Sequence, residues 1–258
     1  MITVKDIWYK SNNTQLLKGI SFDVIPGDVL AVLGANGAGK TTLLKCLSKE
    51  LVPEKGDILF REKTLNHWQN KDLSKHRAVL SQHYQVTLPF TVEQIVMMGR
   101  YPHFKNHPLP KDHDIVKQSL EFAGILHLQY RNYLTLSGGE QQRAQIARVL
   151  SQLWEDENDE KLLILDEPVS ALDIQYQHHI MQLVRKLSTR NFAVIAVLHD
   201  LNLALQYCSK ALLLRNGEQV AFGSTGIIDR ALIKKVYSVD SDLVYHAATH
   251  KNYIVITE

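Results

Sequence analysis

Three short stretches of the chain carry residue types that could do chemistry together. In Gly34-Ala-Asn-Gly-Ala-Gly-Lys40-Thr41 the spacing G-x-x-x-x-G-K-T stands between a β-branched apolar run and a helical one. Glycines at that spacing let the backbone wrap phosphate oxygens with its N–H groups pointing inward, and the helix start behind them adds partial positive charge. Lys40 can reach the β- and γ-phosphates of a nucleotide, and Thr41 offers a hydroxyl to Mg²⁺. The expected ATP contacts are Gly34, Ala35, Asn36, Gly37, Ala38, Gly39, Lys40, Thr41 and Thr42. The second stretch, Leu162-Leu-Ile-Leu-Asp166-Glu167-Pro168, ends an apolar strand in two carboxylates. Ligands of open parallel sheets bind at the carboxyl ends of strands, so both acids are expected to face the cradle. Asp166 would hold Mg²⁺, directly or through water, and Glu167 would accept a proton from an attacking water. Pro168 stops the strand and helps to fix the direction of Glu167. The third stretch, Leu136-Ser137-Gly138-Gly139-Glu140-Gln141, places a serine and two glycines at the start of a long helix, which is a second anion site. One nucleotide cannot easily use both sites of a single chain. The economical arrangement is a symmetric dimer in which Ser137, Gly138, Gly139 and Glu140 serve the nucleotide held by the other copy. Taken singly, the first stretch has a plainer reading as a glycine-rich turn, and the second as a strand-end cap or turn former.

The elements that must position these residues follow from their patterns. Ile2–Tyr9, Gly19–Ile25 and Asp28–Leu33 read as strands, with turns at Asn12-Asn13 and Pro26-Gly27. A helix is expected to begin near Lys40 and run through Leu43, Leu44 and Leu47, with further strands at Asp57–Phe60 and Ala78–Ser81. From about Thr91 to Leu153 the pattern turns helical. Thr91-x-x-Gln94 has the form of a capping box, Pro102, Pro108 and Pro110 exclude a helix through Tyr101–Lys111, and helices follow at Asp112–Phe122 and after Gly138-Gly139. Two apolar strands, Leu162–Leu165 and Ala193–Leu198, flank a helix at Gln175–Leu187, the alternation of a parallel sheet with crossover helices. Ala211–Leu214 and Gln219–Phe222 around Asn216-Gly217 read as a hairpin. The weak alternation of Asp240–Glu258 allows one more.

Composition bounds the alternatives. The 258 residues, 45% apolar and 22% charged, are enough for one large α/β domain or two small ones, and a formal charge of +2 points to no nucleic-acid surface. The two cysteines, Cys46 and Cys208, form no C-x-x-C pair, which argues against a disulfide framework or a zinc site. The longest apolar runs, such as Phe192–Leu198, are strand-sized, and neither a membrane span nor a signal peptide is expected.

The order of the motifs resembles a known family. L-S-G-G-E-Q between a G-x-x-x-x-G-K-T loop and an L-D-E-P strand end is similar to the ABC transporter ATPases, over about residues 2–238. The resemblance implies an α/β P-loop NTPase fold: a RecA-like, mainly parallel sheet core, an N-terminal antiparallel β part, and a helical subdomain inserted at about residues 85–159. Residues 239–258 form a tail with no assigned function. The resemblance also implies further roles. Gln82, in Val79-Leu-Ser-Gln82-His, resembles the glutamine that contacts Mg²⁺ and links hydrolysis to the membrane subunits. Ser170-Ala-Leu-Asp173 resembles the loop that crosses the dimer interface, and His199 the switch histidine that touches the γ-phosphate. Tyr9 resembles the aromatic that stacks on adenine, although Trp8 lies beside it and the loop Lys10–Gln15 is longer than in many relatives. Val169 stands where threonine is more usual. Phe90-Thr-Val-Glu-Gln-Ile-Val-Met-Met-Gly-Arg100-Tyr-Pro-His103 is similar to a segment of importers of iron chelates, haem and cobalamin. Ala147–Trp154, the acidic loop after it and Ala196–Ala204 resemble the haemin-importing members. The implied partners are a second copy of the chain, two membrane-spanning permease subunits and a periplasmic substrate-binding protein acting through them, at the cytoplasmic face of the inner membrane. No nucleic acid and no direct haem contact are expected; His178-His179 sit on an expected crossover helix. A soluble ABC ATPase acting on DNA or ribosomes is a competing class, but such proteins typically carry two cassettes or a long coiled coil. A P-loop kinase or GTPase has no use for L-S-G-G-E-Q.

Overall fold

The computed structural model describes residues 1–81, 86–155, 159–170, 172–247 and 251–257. In chain order, β1 (Ile2–Ser11), β2 (Thr14–Val24) and β3 (Val29–Leu33) lead into α1 (Lys40–Leu47). β4 (Lys55–Phe60), β5 (Lys63–Thr64), α2 (Asn70–His76) and β6 (Arg77–Leu80) follow. A helical block comes next, with α3 (Val92–Met97), α4 (Pro110–Phe122) and α5 (Gly138–Leu153). The chain then alternates through β7 (Lys161–Asp166), α6 (Ile174–Ser188), β8 (Phe192–Val197), α7 (Leu201–Tyr207), β9 (Lys210–Arg215) and β10 (Glu218–Ser224). It closes with α8 (Arg230–Tyr237), β11 (Ser241–His246) and β12 (Lys251–Ile256).

One ten-stranded sheet runs in the order β5-β4-β1-β2-β10-β9-β3-β8-β7-β6. Within it β9, β3, β8, β7 and β6 are mutually parallel, while β1, β2, β4 and β5 are antiparallel. The two halves meet through the single parallel pair Glu218–Lys18. Every residue of β3 and β8 is buried. That is the burial of a strand covered on both faces, and it explains their unbroken apolar runs. One face packs on α5, α6 and α7 through Ile146, Val149, Ile180, Val184 and Leu203. The other packs on α1 and the antiparallel strands through Leu43, Leu47, Ile7 and Phe22. The helical block has a core of its own, including Val92, Ile95, Leu120 and Ala144. Because α5 gives Ala144 and Ala147 to that core and Ile146, Val149, Leu150 and Leu153 to the sheet, it ties the two together.

Several expectations shift. The expected strand Gly19–Ile25 begins earlier, at Thr14. Asn12 and Asn13 both adopt left-handed φ, 47° and 63°, and the pairs Ser11–Thr14 and Lys10–Gln15 close a two-residue hairpin. Lys10–Gln15 is therefore strand ends and a tight turn rather than a long loop. α4 starts at Pro110 and not at Asp112, because proline is well suited to the first helical turn; the Asp112 carboxylate accepts from Leu109 N at 2.8 Å. Short helices α2, α7 and α8 have too few residues for a clear period. The terminal segment forms a two-stranded sheet, docked on α7 by Asn202, whose side chain both donates to Ile254 O and accepts from Ile254 N.

Candidate functional site

The cradle lies between β3 and α1. Gly34 has φ 153°, and a Cβ there would stand 2.4 Å from Leu214 O on the neighbouring β9; Gly39 has φ 99°, and its Cβ would meet Leu16 O at 2.8 Å. These two glycines are required by close packing against β9 and β2 as well as by conformation. The Asn216-Gly217 turn braces the loop from behind, with Gly217 N donating to Ala38 O and Lys18 N to Gly217 O. The sequence pattern marks that turn as a hairpin but carries no sign of its contact with the cradle. Ala35, Asn36 and Gly37 are exposed, Ala38 and Lys40 buried, Thr41 exposed and Thr42 half-buried. Lys40 Nζ donates to Gly34 O at 2.7 Å and to Ala35 O at 3.1 Å, so the ammonium is held curled into its own loop.

β7 runs parallel beside β8 and delivers Asp166 and Glu167 to the same end of the sheet. Burial pulls the Lys40 pKa down, while the charges of Glu167 and Asp166 oppose that shift. The acids and the lysine are thus close enough to feel one another, as the strand-end argument requires. Asp166 is pushed up by burial and by the Glu167 charge, against the pull of Lys40. Its Oδ1 is buried and has no hydrogen-bond partner among the described residues. A buried carboxylate oxygen left unpaired is costly, and it suits a hard divalent cation that takes oxygen ligands. Mg²⁺ therefore fits this donor set.

Glu167 adopts φ 50°, a left-handed conformation outside glycine. Its Oε1 lies 2.6 Å from His199 Nε2, which closes the β8 edge of the site. With the carboxylate ionised, His199 presents its Nε2 hydrogen to it. Val169 is buried in the sheet core, which accounts for an apolar residue there. Tyr9 is half-buried on β1 and packs against the core cluster that contains Ala38 and Leu43, on the cradle side of the sheet. Gln82 lies outside the described residues, as does Ala171 of the Ser170–Asp173 loop. Asp173 is exposed and N-caps α6, its Oδ1 accepting from Tyr176 N at 3.0 Å.

The serine-glycine stretch opens α5 with Ser137 as N-cap. Ser137 N and Oγ donate to Glu140 Oε2 at 2.8 and 2.9 Å, and Ser137 Oγ accepts from Glu140 N, a reciprocal box. Those bonds hold the Glu140 carboxyl below its usual range, the Ser137 backbone contributing most. The two glycines differ. Gly138 is exposed, with nothing within 4 Å of a Cβ, whereas Gly139 is buried and its Cβ would meet the Tyr176 ring at 2.8–2.9 Å. Tyr176, which none of the sequence motifs includes, also faces the Arg143 guanidinium at 5.5 Å. The cradle and this helix start belong to one chain but are built on different elements.

Comparison with known proteins agrees with this architecture. A family description of ABC transporters matches residues 17–170. The hemin import ATP-binding protein of Pseudomonas fluorescens is 41% identical over 241 residues, covering 93% of each chain. That of Escherichia coli O157:H7 is 38% identical over 258 residues, covering 99% of each. Among solved structures, a metal-chelate type ABC transporter in an inward-facing conformation is 26% identical, with a TM-score of 0.85, and the match covers 100% of this chain and 97% of that one. The cbiO1 component of a cbiONQ transporter from Clostridium perfringens is 28% identical with a TM-score of 0.74, covering 92% and 90%. With the glycine-rich loop, the strand-end acids and the serine-glycine helix in their expected order on this sheet, the chain belongs to the ABC transporter family.

Proposed function

We propose that this chain is the ATP-hydrolysing subunit of a haemin importer, acting as a homodimer that drives two membrane-spanning permease subunits. The observation that supports the ATPase reading best is the convergence of Lys40, the unpaired Asp166 oxygen and the Glu167–His199 pair at one end of the parallel sheet. No helix among the described residues is long and apolar enough to cross a membrane, so the chain reaches the cytoplasmic face of the inner membrane through the permease. A periplasmic binding protein delivers cargo on the other side, and haemin does not contact this chain.

The residues act as follows. Backbone N–H groups of Gly34 to Thr41, with Thr42 beyond them, cradle the triphosphate, and Tyr9 packs against adenine. Lys40 places its ammonium at the β- and γ-phosphates. Thr41 and Asp166, with Gln82, would hold Mg²⁺, which when bound would supply charge neutralisation. Glu167 takes the proton from the attacking water, and His199 orients that carboxylate and the γ-phosphate. Ser137, Gly138 and the α5 N-terminus stabilise the phosphates of the nucleotide held by the other copy; Gly139 and Glu140 shape that helix start, and Asp173 lies on the loop between the copies. Positioning and charge neutralisation carry most of the rate enhancement.

Haemin as cargo rests on full-length similarity to proteins named for hemin import. Likeness to a metal-chelate type transporter supports the wider reading of a siderophore-iron or cobalamin importer. Uptake of labelled haemin, ferric siderophore and cobalamin in a deletion strain, complemented with wild type or Glu167→Gln, separates them. Wild type restores haemin uptake and Glu167→Gln does not; restored siderophore or cobalamin uptake with no haemin uptake would contradict the assignment.

A further inference from the structure

One contact crosses from the helix that opens with Ser137 to the turn that carries Glu167. Gln142 Nε2 donates to Pro168 O at 2.8 Å. Gln142 is half-buried and Pro168 buried. The turn needs holding, because Glu167 at φ 50° has a Cβ in a conformation that costs most residues free energy. Inside the turn, Glu167 O accepts from Ser170 N at 3.2 Å and Ser170 Oγ at 3.0 Å. Pro168 has no N–H to donate, so its carbonyl is the one backbone group by which the residue after Glu167 can be tethered, and Gln142 binds it. The tether comes from α5.

α5 is suited to carry position from one end to the other. Gln142 follows Ser137 by five residues on one helical rod, about 7.5 Å along the axis. The same first turns rest on α6, with Gly139 against the Tyr176 ring and Arg143 over it. A small rotation of the helix start therefore reaches the Pro168 carbonyl through a single side chain.

We propose that Gln142 is a positioning residue for Glu167. It links the placement of the α5 start, set by the partner copy's nucleotide at Ser137 and Gly138, to the carboxylate that serves the chain's own nucleotide. This rests on the reading of Glu167 as general base and of the Ser137 loop as acting on the other copy's ATP. Glu167 is held at its carboxylate by His199 and, through the carbonyl of the next residue, Pro168, from α5. Removing the second hold leaves the group in place but frees its peptide to relax. Gln142 lies on neither the cradle nor α1, so ATP affinity is a separate quantity.

Full-length protein tests this with Gln142→Met, which keeps length and loses the donor, and Gln142→Lys, which restores a donor of similar reach. Gln142→Met is expected to lower kcat about five- to tenfold, the loss of one ordinary hydrogen bond acting on the reacting geometry. KM for ATP stays within about twofold, the Hill coefficient falls toward about 1, and Tm stays within about 4 °C of wild type. Gln142→Lys recovers most of kcat. Wild-type kcat and Hill coefficient in Gln142→Met, with Glu167→Gln inactive in the same assay, overturns the coupling and leaves the general base intact. Brisk turnover by Glu167→Gln removes the base and the coupling together. A joint fall of kcat and Tm that lysine does not restore makes the contact structural only, and also overturns the proposal.

Discussion

The two adjacent glycines of the α5 start should respond in opposite ways to the same methyl group. A Cβ on Gly139 would lie 2.8–2.9 Å from three atoms of the Tyr176 ring, about 0.5 Å inside ordinary carbon contact. The ring cannot step aside freely. It carries Arg143 on its face and packs edge-on with His179, and the backbone N–H of Tyr176 donates to Asp173. Overpacking of this kind costs about 1–3 kcal/mol, against which alanine in a helix gains up to about 1 kcal/mol over glycine. Gly139→Ala should therefore lose about 1–2 kcal/mol, or about 3–6 °C of Tm for a chain of this size. A Cβ on Gly138 meets nothing within 4 Å, so Gly138→Ala should melt at or slightly above wild type. Its methyl group points instead into open space, where the proposed arrangement would put the partner copy's nucleotide, so turnover should drop sharply while ATP binding persists. Thermal melts with ATPase rates for the two variants decide this. If Gly139→Ala melts as high as wild type, or Gly138→Ala melts low, the division between a packing glycine and a recognition glycine is wrong. Full turnover by Gly138→Ala would remove the recognition role.

Three other expectations follow from the site and its supports. Lys40→Ala removes the buried ammonium from the cradle and should weaken ATP binding about 10- to 100-fold, the worth of a charge-assisted hydrogen bond; unchanged affinity by calorimetry would contradict the cradle. Asp166 has a raised pKa from burial and the Glu167 charge, so its ionised form costs stability above that pKa and the cost vanishes in acid. Asp166→Asn should raise the Tm of nucleotide-free protein near neutral pH, by an amount that shrinks as pH falls, while abolishing turnover; a lower Tm near neutrality would refute this. Glu155 feels an upward push from burial, but bonds from Lys111 and Arg100 overcome it and hold its pKa at about 2. That depressed value contributes stability above the ordinary 4.5, lost as pH falls through about 2. Glu155→Gln should therefore melt below wild type at neutral pH, with the gap closing across that window in pH-dependent melts.

The parallel sheet was readable because β3, β7 and β8 are buried on both faces and so carry unbroken apolar runs between turn residues. The cradle, the acids and the serine cap were readable because their chemistry is local in sequence. Asn216-Gly217 was legible as a turn, yet its bracing of Ala38 comes from β9 and β10 folding back over residues nearly 180 positions away, which no local pattern records. The Gln142 tether and the Tyr176 ring under Gly139 belong to the same class, pairing α5 with residues distant in sequence, in the turn after β7 and on α6. Tyr176 could have been suspected, since an aromatic three residues after the helix-capping Asp173 must face something. Arg100, fully buried against Asp112 and Glu155, read in sequence only as part of a resemblance. Its burial depends on α4 and α5 meeting, and only then does an internal guanidinium become affordable.

Sedimentation of Glu167→Gln protein with ATP and Mg²⁺ addresses the paired arrangement of copies most directly. A dimer that retains two ATP molecules, and that reverts to monomer when Gly138→Asp is added, is the result expected. A species that stays monomeric at saturating ATP, or a dimer indifferent to the charge placed at Gly138, would contradict it.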